Sequence, residues 1–162
     1  MPVKIVASDA KKETPQNQNR VDVGLMAPGQ YEVSQDCTFT IEVHLVAKEK
    51  RWVIAPKPGK GVHTHQVVFR MWTYDDMVNL RKQATTYDAV KRVHMVDQDY
   101  LNRLKIQKLM VSWTFGRDNP RLEIKHVNGV LTDESWQAVS RLQPNILMYI
   151  IGEMNSIYEY NN

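Results

Sequence analysis

His63 and His65 are the residues of this 162-residue chain best spaced for metal chemistry. Side chains at i and i+2 of a strand leave it on the same face, so two imidazoles could share one ion. A third ligand would have to come from Cys37, His44 or a distant carboxylate, because no second histidine pair and no Glu-x-x-His motif is present. The pair also follows the Pro and Gly residues of 56–61, a common setting for solvated histidines. No metal and no other cofactor is expected.

Nucleophilic chemistry finds still less. A Ser, Cys or Thr nucleophile needs a base and an oxyanion hole, and the chain has neither a G-x-S-x-G elbow nor a glycine-rich phosphate loop of the Walker or Rossmann type. Pro58-Gly59-Lys60-Gly61 lacks the following helix whose dipole would hold a phosphate. The carboxylate pairs Asp75-Asp76, Asp97/Asp99 and Asp133-Glu134 all stand where helices should begin, and capping accounts for them. The reading is a binding protein, not an enzyme.

Basic residues Arg81, Lys82, Lys91, Arg92, Arg103, Lys105 and Lys108 lie among Tyr74, Tyr87 and Tyr100, an arrangement that could suit a phosphate backbone and stacked bases. Asp75, Asp76, Asp88, Asp97 and Asp99 are interleaved and blunt that field. A nucleic-acid accessory role through Arg81, Lys82, Arg92, Arg103 and Lys105 is therefore the runner-up from another class. The overall charge of +3, from 21 basic and 18 acidic residues, favours neither nucleic acid nor an anionic membrane.

A hydrophobic content of 43% and only seven each of Gly and Pro fit one folded domain with a real core. One cysteine, Cys37, rules out an intrachain disulfide framework and makes a reducing compartment the simpler expectation. The apolar run Val3 to Ala7 is shorter than a signal-peptide core, and Ile146 to Ile151 is far short of the ~20 residues of a membrane span. No membrane association is expected.

The elements that must position these residues divide the chain in three. Residues 1–20 form an arm whose stretch from Ser8 to Arg20 is almost wholly polar and cannot offset its own ordering entropy. Residues 21–71 read as a β-rich section, with a turn at Ala27-Pro28-Gly29. The alternation Phe39, Ile41, Val43, Leu45 marks the clearest strand, and Arg51 to Ala55 and His65 to Met71 read as two more.

Residues 72–162 read as a helical section forming one compact domain with the sheet. Thr73 caps a helix carrying Met77, Leu80 and Ala84; Asp88 caps a short one through Ala89, Val90 and Val93. Asp97 caps a longer helix with Leu101, Leu104, Ile106, Leu109, Met110 and Trp113 on one face and Arg103, Lys105, Gln107 and Lys108 outward. Leu122 to Val127 reads as one strand or an extended linker before a turn at Asn128-Gly129. Thr132 caps a further helix, and Pro144 opens the last. Trp72, Trp113 and Trp136 are expected at helix ends and in the core. The fold class is α+β: a polar arm, a small antiparallel sheet, then helices.

The last helix is apolar around more of its circumference than a two-layer core requires, so Met148, Ile151, Met154, Tyr158 and Tyr160 are the expected partner contacts.

Three stretches carry a resemblance: Thr86-Tyr87-Asp88 through Ser112-Trp113-Thr114, His126-Val127-Asn128-Gly129 through Ser135-Trp136, and Leu142-Gln143-Pro144 through Met154-Asn155-Ser156-Ile157-Tyr158. From Trp72 to Tyr158 the layout resembles small tail-morphogenesis proteins of long-tailed bacteriophages, of the tail-assembly chaperone or the baseplate and tail-hub type. That resemblance implies action through protein surfaces, with tape-measure, tube, hub or baseplate subunits as partners and a homo-oligomer as a further possibility. It implies the host cytoplasm during assembly, and the virion tail for a structural baseplate, hub or connector subunit. The strand-rich section from Val21 to Met71 and the polar arm depart from the chaperone pattern; an arm pinned in a lattice or ring would suit a structural subunit, which ranks just behind the chaperone.

Overall fold

A computed structural model describes residues 21–22, 33 and 36–159. The arm over 1–20, the turn at Ala27-Pro28-Gly29 and Tyr160 lie outside the described residues. The architecture is α+β.

The main sheet is antiparallel and five-stranded, built on β2 (Thr38–Lys48). Phe39, Ile41, Val43 and Leu45 of β2 are all buried, as the period-two alternation requires. Leu45 pairs with both Ile54 of β3 (Arg51–Ile54) and His63 of β4 (His63–Arg70), so these two strands run along opposite edges of β2. Phe39 likewise pairs with Val21 of β1 (Val21–Asp22) and with Phe69 of β4, which puts β1 on the β3 side.

Helix α1 (Tyr74–Gln83) begins in a capping box: the Asp76 amide donates to Thr73 Oγ1 at 3.2 Å, and the Thr73 amide donates to Asp76 Oδ2 at 2.9 Å. The expected short helix after it does not form. Asp88 Oδ1 does accept from the amides of Val90 and Lys91 at 2.9 and 3.0 Å, but it caps a turn that Arg92 closes at φ 54°. The result is a hairpin of β5 (Thr85–Asp88) and β6 (Val93–Val96), separate from the main sheet.

Helix α2 (Gln98–Leu109) is capped by Asp97 but ends earlier than its periodicity predicts. Met110 turns extended at φ −69°, ψ 124°, and Met110–Trp113 becomes β7, added to the free edge of β4. Apolar spacing could not separate the two outcomes, because a bulge where Val68 pairs with Ser112 and Phe69 with Met110 rephases the strand. Met110 and Trp113 are therefore both buried, although they lie an odd number of residues apart.

The stretch from Leu122 to Val127, expected as one strand or an extended linker, is a linker over 123–125 that ends in a short strand. Pro120–Leu122 forms a 3₁₀ turn, and β8 (His126–Val127) pairs with β9 (Val130–Leu131) around Asn128 and Gly129 at φ 52° and 76°. Two positive φ values are what a two-residue hairpin turn needs, and Asn-Gly supplies them at low cost. Helices α3 (Asp133–Ser140) and α4 (Pro144–Tyr158) follow their caps as expected. Trp136 lies inside α3 and is half-buried against the core.

Helix α4 packs across β2 and β3 with Ile146, Ile150, Met154 and Tyr158, at steps of four, turned to the core. The Tyr158 ring sits 5.1 Å from Phe39 and 4.7 Å from Trp72, and its hydroxyl donates to the Arg70 carbonyl at 2.6 Å. Met154 is fully buried, so neither it nor Tyr158 offers a partner contact. Apart from Met148, the apolar width of α4 is used within the chain.

Candidate protein-binding surface

The two histidines of β4 lie on one face, as their spacing requires, but each has a different aromatic neighbour. His63 meets the Trp52 ring edge-on at 5.2 Å, while His65 stacks on Phe115 at 4.2 Å with Nδ1 3.3 Å from Thr114 Oγ1. Burial lowers the His65 pKa, so this imidazole is neutral at pH 7. His44 is buried with Nδ1 2.8 Å from Thr64 Oγ1. Among the described residues no group of three His, Cys, Asp or Glu side chains is arranged to hold a metal.

The basic set does not form one stripe. Lys105, expected to face outward, is 0% exposed: its Nζ donates to Asn155 Oδ1 at 2.7 Å and Glu159 Oε1 at 2.8 Å, and lies 5.0 Å from the centre of the Trp72 ring. Burial lowers its pKa despite the Glu159 partner. A lysine of lowered pKa can serve as a nucleophile, but this one is enclosed by Asn155, Glu159 and Trp72 and ties α2 to the end of α4. The sequence carried a signal for this. Leu104 and Ile106 are two residues apart, about 200° around a helix, so α2 must be buried on more than one side.

Among the remaining cations, Arg81 Nη2 lies 3.9 Å from Glu159, and Arg103 lies 3.7 Å from Asp133 and stacks over Trp136 at 5.2 Å. Lys82 and Arg92 are exposed, on α1 and in the hairpin loop. Beside β7 a groove of about 430 Å³ is lined by Val111, Trp113, Arg117, Glu123, Lys125 and His126, and its charges are mixed in sign.

Of the expected partner contacts on α4, Met148 is exposed at 63% and Ile151 is half-buried against the core. The larger exposed apolar group is elsewhere. Tyr87, Val90, Val93, Met95 and Val96 of the β5–β6 hairpin are all exposed, Val90 at 94%, and Tyr100 follows on α2. Cross-strand pairing puts Tyr87, His94, Thr85 and Val96 on one face of the ribbon and Thr86, Met95, Asp88 and Val93 on the other. Sequence reasoning missed this surface because Asp88 looks like a helix cap. The alternative signal was the β-branched residues Thr85, Thr86, Val93 and Val96 on either side of a turn.

Side chains meet two edge strands of the main sheet, each at one residue. Gln143 Oε1 accepts from the Trp52 amide at 3.1 Å and Asn145 Nδ2 donates to the Trp52 carbonyl at 2.9 Å, occupying the outer edge of β3. His126 Nε2 sits 2.7 Å from the Met110 carbonyl of β7. The hairpin has no such cover among the described residues. No family model, no curated protein and no solved structure matches the chain.

Proposed function

We propose that the chain is a bacteriophage tail-morphogenesis protein that works by protein–protein binding, in the manner of a tail-assembly chaperone. The single observation that carries the binding role is the β5–β6 hairpin. A two-stranded ribbon solvated on both faces is marginal alone, and one bearing Tyr87, Val90, Val93, Met95 and Val96 outward gains stability when another surface covers it. The layout from Trp72 to Tyr158 supplies the assignment to tails, with tape-measure, tube, hub or baseplate subunits as partners.

Co-expression with phage tube and tape-measure proteins tests this reading. The chain should co-elute with one of them, and Tyr87→Ser with Val90→Ser should abolish co-elution while leaving the urea midpoint of the isolated protein unchanged. Co-elution that survives both substitutions removes the hairpin from the account, and failure to capture any tail component removes the tail assignment. Mass spectrometry of purified particles separates the roles within morphogenesis: fixed copy number selects a structural subunit, absence a chaperone.

A further inference from the structure

Among the described residues nothing pairs with the outer edge of β6. The Asp97 amide donates to the Ala84 carbonyl at 2.8 Å while the Ala84 amide donates to Leu80, and Thr85 pairs with Val96, so this single bond sets the phase of the ladder at the base of the hairpin. Bonded and outward positions alternate in an antiparallel ladder. Met95 and Val93 therefore bond to β5, while His94 and Val96 turn their amide and carbonyl groups to the open edge. Natural edges are blunted by Lys, Pro, bulges or covering side chains. Val93-His94-Met95-Val96 has none of these, and the contrast with β3 and β7, each met by a side chain at one residue, lies within the same molecule.

We propose that a second copy of this chain pairs with that edge, β6 antiparallel to β6, across a two-fold axis at Met95. The inference rests on reading the hairpin as a binding surface. Two constraints select a copy of the chain and this register. A two-fold axis perpendicular to the sheet places residues of the same face opposite each other only when it passes through a residue position. Placing it at Met95 sets His94 opposite Val96 of the second copy, and each of these two pairs exchanges both hydrogen bonds, four in all. An axis at His94 would pair only His94 with itself, with two bonds. The strand also carries no charged side chain apart from the titratable His94, so self-pairing sets no like fixed charges opposite one another. The product is a four-stranded ribbon, wide enough for its Tyr87 and Val96 face to receive a tail partner.

The test is sedimentation velocity on the full chain over a concentration series, with three substitutions. Wild type should reach twice the 18.8 kDa chain mass. His94→Pro removes an outward amide, together with the imidazole 5.2 Å from the Tyr87 ring, so it should raise the dimer dissociation constant at least tenfold. Met95→Lys places two ammonium groups face to face on the axis and should give a monomer, as should Met95→Glu through two carboxylates. Mixing these two variants should restore a heterodimer that weakens with salt. A wild type monomeric at hundreds of micromolar, a dimer indifferent to His94→Pro, or charge variants that fail to combine would each overturn the pairing. A monomer whose capture of a tail protein is lost in His94→Pro would give the edge to that protein instead. Dimerisation without capture of tail components would leave the pairing standing and remove the tail reading, so the two can fail separately.

Discussion

Replacing Tyr158 by Phe removes one hydroxyl from the centre of the α4 contact and leaves the ring in place. The ring is needed where it is, 5.1 Å from Phe39 and 4.7 Å from Trp72, so packing should be conserved. What is lost is a 2.6 Å hydrogen bond to the Arg70 carbonyl at the end of β4. A hydrogen bond of this kind contributes about 0.5–1.5 kcal/mol net, and an acceptor left dry costs about 1–3 kcal/mol. Arg70 is half-buried, so water can reach part of its carbonyl; the expected loss is about 1 kcal/mol, or about 2–4 °C in Tm.

Urea unfolding should show a lower midpoint with an unchanged slope, because the surface exposed on unfolding is the same. A pH arm isolates the phenol. Burial raises the Tyr158 pKa above its ordinary value of 10.0. Above pH 10 the unfolded chain then loses this proton while the folded chain keeps it. Stability falls as pH rises, by up to about 1.4 kcal/mol per pH unit. Tyr158→Phe should lack that alkaline loss. If the variant matches wild type within about 0.3 kcal/mol and keeps its alkaline slope, or if it loses partner capture at full stability, Tyr158 acts at a surface and the core assignment is wrong.

Two further substitutions probe the polar ties. Asp76→Ala should cost about 1–2 kcal/mol in urea unfolding, chiefly as the lost cap of α1. The hydrogen bond from Arg70 holds the Asp76 pKa below its usual value, so its contribution is present above the unfolded carboxylate range and lost as pH falls through the folded value; Asp76→Ala should therefore show a flatter acid limb. Lys105→Met should be near neutral at pH 7, since it removes a buried ammonium while Glu159, a third exposed and 3.9 Å from Arg81, keeps water and a counter-charge. Burial lowers the Lys105 pKa, so wild-type stability gains from neutralisation as pH rises towards the unfolded value of 10.5, a gain the Met variant should lack. Glu159→Ala should instead destabilise by about 1–2 kcal/mol, because it strips the buried ammonium of its counter-charge. Equal effects of the two changes in thermal unfolding would refute this account of the Lys105 tie.

Local chemistry alone determined the α+β class, the strand from Thr38, and the helix starts at Thr73, Asp97, Thr132 and Pro144. Those features depend on residues within a few positions of one another: a period of two, a side chain accepting from an amide three residues on, a proline at the first turn. Tertiary structure decided the rest. Whether Met110 to Trp113 continued a helix or joined β4 depended on a free strand edge some forty residues away, and a bulge made both fates compatible with the apolar pattern. Asp88 caps a turn either way, and only the pairing of Thr85 to Asp88 with Val93 to Val96 turned that cap into a hairpin. Burial of Lys105 and Tyr158 required the end of α4 to meet both α2 and the sheet, a packing that no single helical period encodes. The candidate surface moved from α4 to the hairpin for the same reason: periodicity measures how apolar an element is, and the neighbours it finds decide how much of that remains outside.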